Sequence, residues 1–327
     1  MTMHRFLLLV LACAAIALPL TIDGYRLFLV TMTLIMALGV LGLNILVGYN
    51  GQLSLGHGAF FALGAYTSAV LMEHAAMAWW ITIPIAALAC FVFGCLFGWP
   101  ALRLKGHYLA LATFGLALAT PQLLKYRGLE KWTGGVQGIV LSKPQPPGFI
   151  PMSEDQWLYA VTLLITAAFF LLAWNLLRGR HGRAIVAIRE HPIAASAMGV
   201  NVAMTKAVTF GISAMVTGVA GSLGAMASAY VAPDSFGIYV SIFFLVGAVV
   251  GGLGTISGAL LGAAFIQFVP NIADGISKEA PSAVFALVLL LTIYLMPQGM
   301  AGIAAQLNRR IRRHTGLSTT TESIQSP

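Results

Sequence analysis

Charge is what this sequence has least of. Only 28 of its 327 residues are Lys, Arg, Asp or Glu, or 9%, against about 25% in soluble domains. A deficit that deep excludes a soluble enzyme, a nucleic-acid-binding module and a disordered chain. Cysteine is scarce too: Cys13, Cys90 and Cys95 all sit in apolar runs. No disulfide framework is implied, and the three read as small core residues. The sequence holds no Gly-Lys dipeptide, hence no phosphate loop of the Gly-x-x-x-x-Gly-Lys-Ser/Thr type. Any ATP hydrolysis must come from a partner, and no cofactor is expected on this chain. His-Glu-x-x-His, Cys-x-x-Cys and Gly-x-Ser-x-Gly are also missing, which leaves no visible metal site or catalytic elbow.

The missing acids carry the most information. Asp23, Glu73, Asp234, Asp274 and Glu279 fall at the ends of apolar runs or between them, and none lies mid-run. Proton- and sodium-coupled carriers usually keep ionisable groups at membrane depth, where such groups are costly unless functional. That class is disfavoured.

What the chain does have is apolar length. Hydrophobic residues make up 59%, about 193 positions, and each helical crossing of a bilayer takes roughly 20. Apolar runs fall at 6–20, 27–48, 58–72, 81–102, 107–124, 157–177, 207–230, 238–251, 255–269 and 282–297. The expected fold class is an all-α polytopic membrane protein with about ten transmembrane helices. The 238–269 pair, broken only by Gly251-Gly252-Leu253-Gly254, is read as two crossings in preference to one re-entrant element. The first run is read as a retained helix, because Ala17-Leu18-Pro19 interrupts a signal-peptide cleavage pattern.

With both termini in the cytoplasm, twelve of the eighteen Lys and Arg residues fall inside, as the positive-inside rule requires. Residues 1–308 then form the membrane domain. A Pro-rich loop at 125–156 lies outside, a basic loop at 178–206 lies inside, and 309–327 form a basic, then Ser/Thr-rich, cytoplasmic tail.

Two segments stand out against this background. Residues 42–61 concentrate Gly48, Gly51, Gly56 and Gly58 with Asn44, Asn50, Gln52, Ser54 and His57. Glycines there break a helix and free backbone groups that need partners. The five polar side chains are candidates for lining a solute route, against the alternative of a tight, internally satisfied turn. Gly251-x-Leu253-x-x-x-x-Gly258-Ala259 echoes Gly51-x-Leu53-x-x-x-x-Gly58-Ala59, a faint sign of an internal repeat. In the 178–206 loop, Pro192 suits the first position of a short helix and Gly199 the position just past its end. Such a helix is a candidate docking element, with Ala194, Ala195 and Met198 giving it a slim profile. Arg183, Arg189 and Glu190 would then lie beside it, the arginines available to acids on a groove rim. The alternative is an element lying on the membrane surface.

At these residues the sequence resembles the permease subunits of bacterial ABC importers for branched-chain amino acids, of the LivM type. The run GLNILVGYNGQLSLGHGAFFALGA at 42–65 is similar to that family's first signature. Gly106-His107-Tyr108, Thr133-Gly134-Gly135, Gly182-Arg183-Ala184, Gly251-Gly252-Leu253-Gly254-Thr255 and Pro297-Gln298-Gly299 follow in the expected order. The resemblance implies a type II-like ABC importer permease fold in the bacterial inner membrane. It also implies a second permease of the LivH type, two cytoplasmic ATPases of the LivG and LivF type that use the ATP, and a periplasmic solute-binding protein. The chain departs from the related ABC pattern Glu-Ala-Ala-x-x-x-Gly, because Ile193 stands at the Glu position. The competing function class is a self-sufficient channel or facilitator for a small polar solute such as urea or an amide.

Overall fold

The computed structural model describes residues 18–19, 21–22, 24–101, 107–148, 151–276, 278 and 280–303. The first apolar run up to residue 17, Cys13 and the 309–327 tail lie outside the described residues.

Every other apolar run is a helix. In chain order they are α1 (Tyr25–Asn44), α2 (His57–His74), α3 (Trp79–Ala101), α4 (His107–Leu124), the single turn α5 (Glu130–Thr133) and α6 (Glu154–Arg178). The 178–206 segment folds as α7 (Arg180–Glu190) and α8 (Pro192–Ala197), and the chain continues in α9 (Val202–Ser228), α10 (Ile238–Gly251), α11 (Ile256–Ile276) and α12 (Pro281–Leu295). Among the described residues seven spans are long and apolar enough to cross a bilayer. The protein is therefore a helical, multi-pass membrane protein. The 18-residue α2 and α4 pack against the same bundle.

Local chemistry sets the ends. Ser153 and Gln156 form a reciprocal capping box at the start of α6, with Glu154 and Asp155 in its first turn, where negative charge favours the helix. Asn201 caps α9 by accepting from the Met204 amide at 3.0 Å. Pro192 occupies the first turn of α8, as expected, and Gly199 follows it at φ +82°.

The core is organised by α9, whose 27 residues pack on α1, α2 and α3. Some of its contacts bring backbone against backbone. A methyl group at Gly64 on α2 would collide with the Gly218 carbonyl, and one at Gly221 with the Phe61 carbonyl. On the opposite side, Cys90 and Cys95 of α3 place their sulfurs against Gly218 and Gly211; Cys90 is the small core residue expected, while Cys95 is only half-buried. Ser68 and Ser222 share a 2.6 Å hydrogen bond across the α2–α9 seam. Close approach of this kind is what holds helices together in lipid, where burial of apolar surface gives little. Gly64→Leu should accordingly lower stability in detergent by about 2 kcal/mol or more. A denaturation curve matching wild type would show the seam to be tolerant.

Toward the periphery burial falls away: α12 has no buried residue. The α10–α11 pair is two helices joined by Gly252 (φ +115°), Leu253 and Gly254 (φ +76°). It closes as a hairpin in which side chains at Gly251 and Gly262 would strike the Gly258 and Gly247 carbonyls. The described part of the 125–156 loop lies at the end of the bundle away from α7 and α8 and holds regular structure. Strand β1 (Ile139–Val140) pairs antiparallel with β2 (Tyr230–Val231), aligning Ile139 with Val231. The ion pair Lys125–Asp234 fastens it to the segment before α10, and Lys143–Asp155 ties it to the first turn of α6.

Candidate functional site

Helix α1 ends in a turn of π-helix, Ile45–Tyr49, and the chain then runs unwound to α2. The π-turn and the glycines after it, with Gly51 at φ +73°, release backbone groups that a regular helix would satisfy. All five side chains singled out in this segment are buried: Asn44, Asn50, Gln52, Ser54 and His57.

Ser54 and His57 belong to a closed chain of hydrogen bonds. Ser213 of α9 donates to the Gly42 carbonyl at 2.6 Å, so its oxygen accepts from His57 Nε2, also at 2.6 Å. His57 Nδ1 lies 3.1 Å from the Ser54 hydroxyl. A neutral imidazole with its proton on Nε2, accepting from Ser54 at Nδ1, fits this geometry. Packing of His57 against Phe60 and Phe210 agrees with an uncharged ring. For these two residues the present conformation has the internally satisfied arrangement rather than an open route. Three partners escaped the sequence reading. They are Ser213, Thr113, whose hydroxyl accepts from the Leu55 amide at 2.9 Å, and Ser241, which accepts from the Gly58 amide at 2.8 Å. Ser241 is the lone Ser or Thr in α10 and Thr113 one of two in α4, but Ser213 belongs to a run of Thr205, Thr209, Ser213 and Thr217 at helical spacing along α9, a signal the sequence did offer.

Asn44 reaches the other break. Its Oδ1 accepts from the Gly254 amide at 2.8 Å while its Nδ2 donates to the Thr255 carbonyl at 2.8 Å. One amide thus fastens the end of α1 to the turn between α10 and α11. A side chain at Gly48 would collide with Asn44 Oδ1 and the Gly254 amide. Gln52 donates to the Lys206 carbonyl at 3.3 Å, joining the unwound segment to the start of α9. Asn50 differs from the rest: it is 2% exposed, and neither its Nδ2 nor its Oδ1 has a partner.

The 178–206 segment meets the same place. Arg189, in the last turn of α7, donates from Nη1 to the Gly48 carbonyl. At least one of its donors is therefore turned inward on this chain, a contact the sequence did not suggest. Its guanidinium satisfies a carbonyl at a helix C-terminus, where positive charge is favoured. Ala195 needs correction. With Ile185 and Ile188 it forms the inward face of α7–α8, at 4% exposure, so it does not belong to the presented profile. A helix of under two turns offers little pattern from which to read its inward side. The outward face is Ile193 (78% exposed) and Met198 (88%), with Glu190, Pro192, Ala194 and Gly199 also exposed. Arg183 donates to the Arg178 carbonyl at 3.3 Å across the α6–α7 corner.

No three His, Cys, Asp or Glu side chains gather as a metal site among the described residues. The chemistry on offer is hydrogen bonding and mechanical linkage. Two groups that the sequence presents as separate, the glycine-rich segment and the basic loop, converge on Gly48 and Gly254.

Residues 25–297 match the family described as branched-chain amino acid transport system / permease component. The chain is 32% identical over 320 residues to the high-affinity branched-chain amino acid transport system permease protein LivM of Salmonella typhimurium, covering 91% of this chain and 75% of that protein. Identity to LivM of Escherichia coli K12 is the same over the same extent. The LivH permease protein of Salmonella typhimurium is 25% identical over 293 residues, 84% of this chain and 93% of LivH. No solved structure matches. On the family match across the described bundle and the identity to LivM, the chain belongs to the branched-chain amino acid transport system permease family.

Proposed function

We propose that this chain is one of two permease subunits of an ATP-driven importer carrying branched-chain or related small amino acids across the bacterial inner membrane. The observation that carries the reading is the similarity to LivM over 91% of the chain. The weaker similarity to LivH suits a related permease as the neighbouring subunit. Both termini and the 178–206 segment face the cytoplasm, and the 125–156 loop faces a periplasmic solute-binding protein. Two partner ATPases use the ATP.

Their docking element is α8, which offers Ile193, Ala194 and Met198 outward and is too short to be stable unless packed. ATP binding favours one of two states of the assembly. The buried polar residues from Asn44 to His57 join the route in the state that opens this region. Asn50 carries the unused hydrogen-bonding capacity for that state.

Reconstitution tests the reading. In liposomes the chain alone should neither hydrolyse ATP nor move solute. With the second permease, the ATPases and the binding protein, it should take up leucine only when ATP is supplied. Rapid leucine or urea flux through the chain alone would replace the importer with a facilitator.

A further inference from the structure

Helix α7 bears on both helix breaks at once through one side chain. The Arg189 guanidinium donates to the Gly48 carbonyl. Its aliphatic stem lies over Gly51, where an added methyl group would stand 3.1 Å from Arg189 Cγ. A methyl group at Gly254 would stand 3.5 Å from Arg189 Nη1 and 3.4 Å from the Gly48 carbonyl oxygen. On the interior side Asn44 joins the same two breaks through Gly254 and Thr255. Thus Gly254 is held from within by the Asn44 amide, and Gly48 from the loop side by the Arg189 guanidinium, which also lies close to Gly254.

The other end of this linkage is α8. His191, at φ −152°, is the one extended residue between α7 and α8. Ala195 packs inward while Ile193 and Met198 stand free. Displacement of α8 therefore moves the C-terminal turn of α7, and Arg189 with it. A hydrogen bond from a charged donor to a carbonyl is directional and strong enough to carry that movement, and the glycines on which it acts impose little torsional resistance.

We propose that Arg189 is the positioning residue that transmits movement of the docking helix to the breaks at Gly48 and Gly254, and so sets how much transport follows each ATP hydrolysed. The inference rests on the importer reading. It differs from a docking role for Arg189: the residue works inward on this chain and contributes nothing to ATPase recruitment.

The test uses the complete complex in proteoliposomes, comparing wild type with Arg189→Met, which keeps the stem and drops the donors, and Arg189→Lys, which keeps one charged donor group. Three quantities are read: ATPase recovered with the permeases, ATP hydrolysed, and leucine taken up. Arg189→Met should recover ATPase normally and continue to hydrolyse ATP, while uptake per ATP falls about tenfold or more. Arg189→Lys should restore part of that ratio. A thiol at Leu253→Cys, in a background without native cysteines, should change its labelling with ATP when Arg189 is present and not in Arg189→Met. A purely structural role would leave that nucleotide response in place.

Unchanged uptake per ATP in Arg189→Met would overturn the inference, as would loss of ATPase recovery in an otherwise intact permease pair. If Arg189→Met does not assemble, Arg189→Lys decides: uptake per ATP equal to wild type, with labelling at 253 insensitive to ATP, refutes the linkage. Failure of the wild-type complex to couple uptake to ATP would refute the importer reading itself, a different result from any of these.

Discussion

Asn44→Ala should melt well below wild type and transport poorly, although it removes only one carboxamide. The side chain is fully buried and is the partner of the Gly254 amide and the Thr255 carbonyl. Deleting it takes that partner from two part-buried backbone groups, the Gly254 amide and the Thr255 carbonyl. Each such loss costs about 1–3 kcal/mol, so the pair amounts to roughly 2–6 kcal/mol. For a chain of this size that predicts a fall in melting temperature of roughly 5 °C or more in detergent. Uptake by the complete complex should drop more than in proportion to the folded protein remaining, because α10–α11 is no longer fastened to α1. A variant that melts and transports like wild type would mean that the two backbone groups find other partners, and the clamp would lose its role.

The second large effect is expected at α8. Ile193→Asp with Met198→Asp should lower ATPase recovery about 30-fold, the equivalent of roughly 2 kcal/mol for a docking hot spot, and abolish stimulated hydrolysis. Both side chains stand more than three-quarters exposed, so the fold of the isolated chain should not respond, and detergent melting provides that control. Ala195→Trp is a poor substitute, because it drives a large ring into the inward face of α7–α8 and damages the chain before any partner is met. If the Asp pair leaves ATPase association and uptake intact, α8 is a membrane-surface element and the partner docks elsewhere.

The helices were legible because lipid imposes one rule along the whole chain: apolar length. The run at 207–230, for example, emerges as Val202–Ser228, its start set by the Asn201 cap. The local grammar of Pro192 and Gly199 was equally readable, since one residue fixes φ and the other tolerates its positive range. What escaped were relations between distant positions. Arg189 and Gly48 are 141 residues apart, Asn44 and Gly254 are 210 apart, and no periodicity couples them. The polar cluster at 44–57 was visible as an anomaly, but whether a buried amide faces a route or a backbone depends on which helix lies opposite. The two-residue strands at 139 and 230 are too short to leave an alternation.

The contact of α9 with its neighbours also limits how this protein is able to move. Gly218 and Gly221 face carbonyls or side chains from α2 and α3 with no room for a single carbon. Sliding α9 by one residue in either direction would bring Val219 and Ser222, or Thr217 and Ala220, into those positions. The bundle of α1, α2, α3 and α9 is thus toothed rather than greased: its members stay in register or come apart. A change of shape would then carry these four helices together and bend at breaks outside the block, such as the turn at 252–255 and the extended His191.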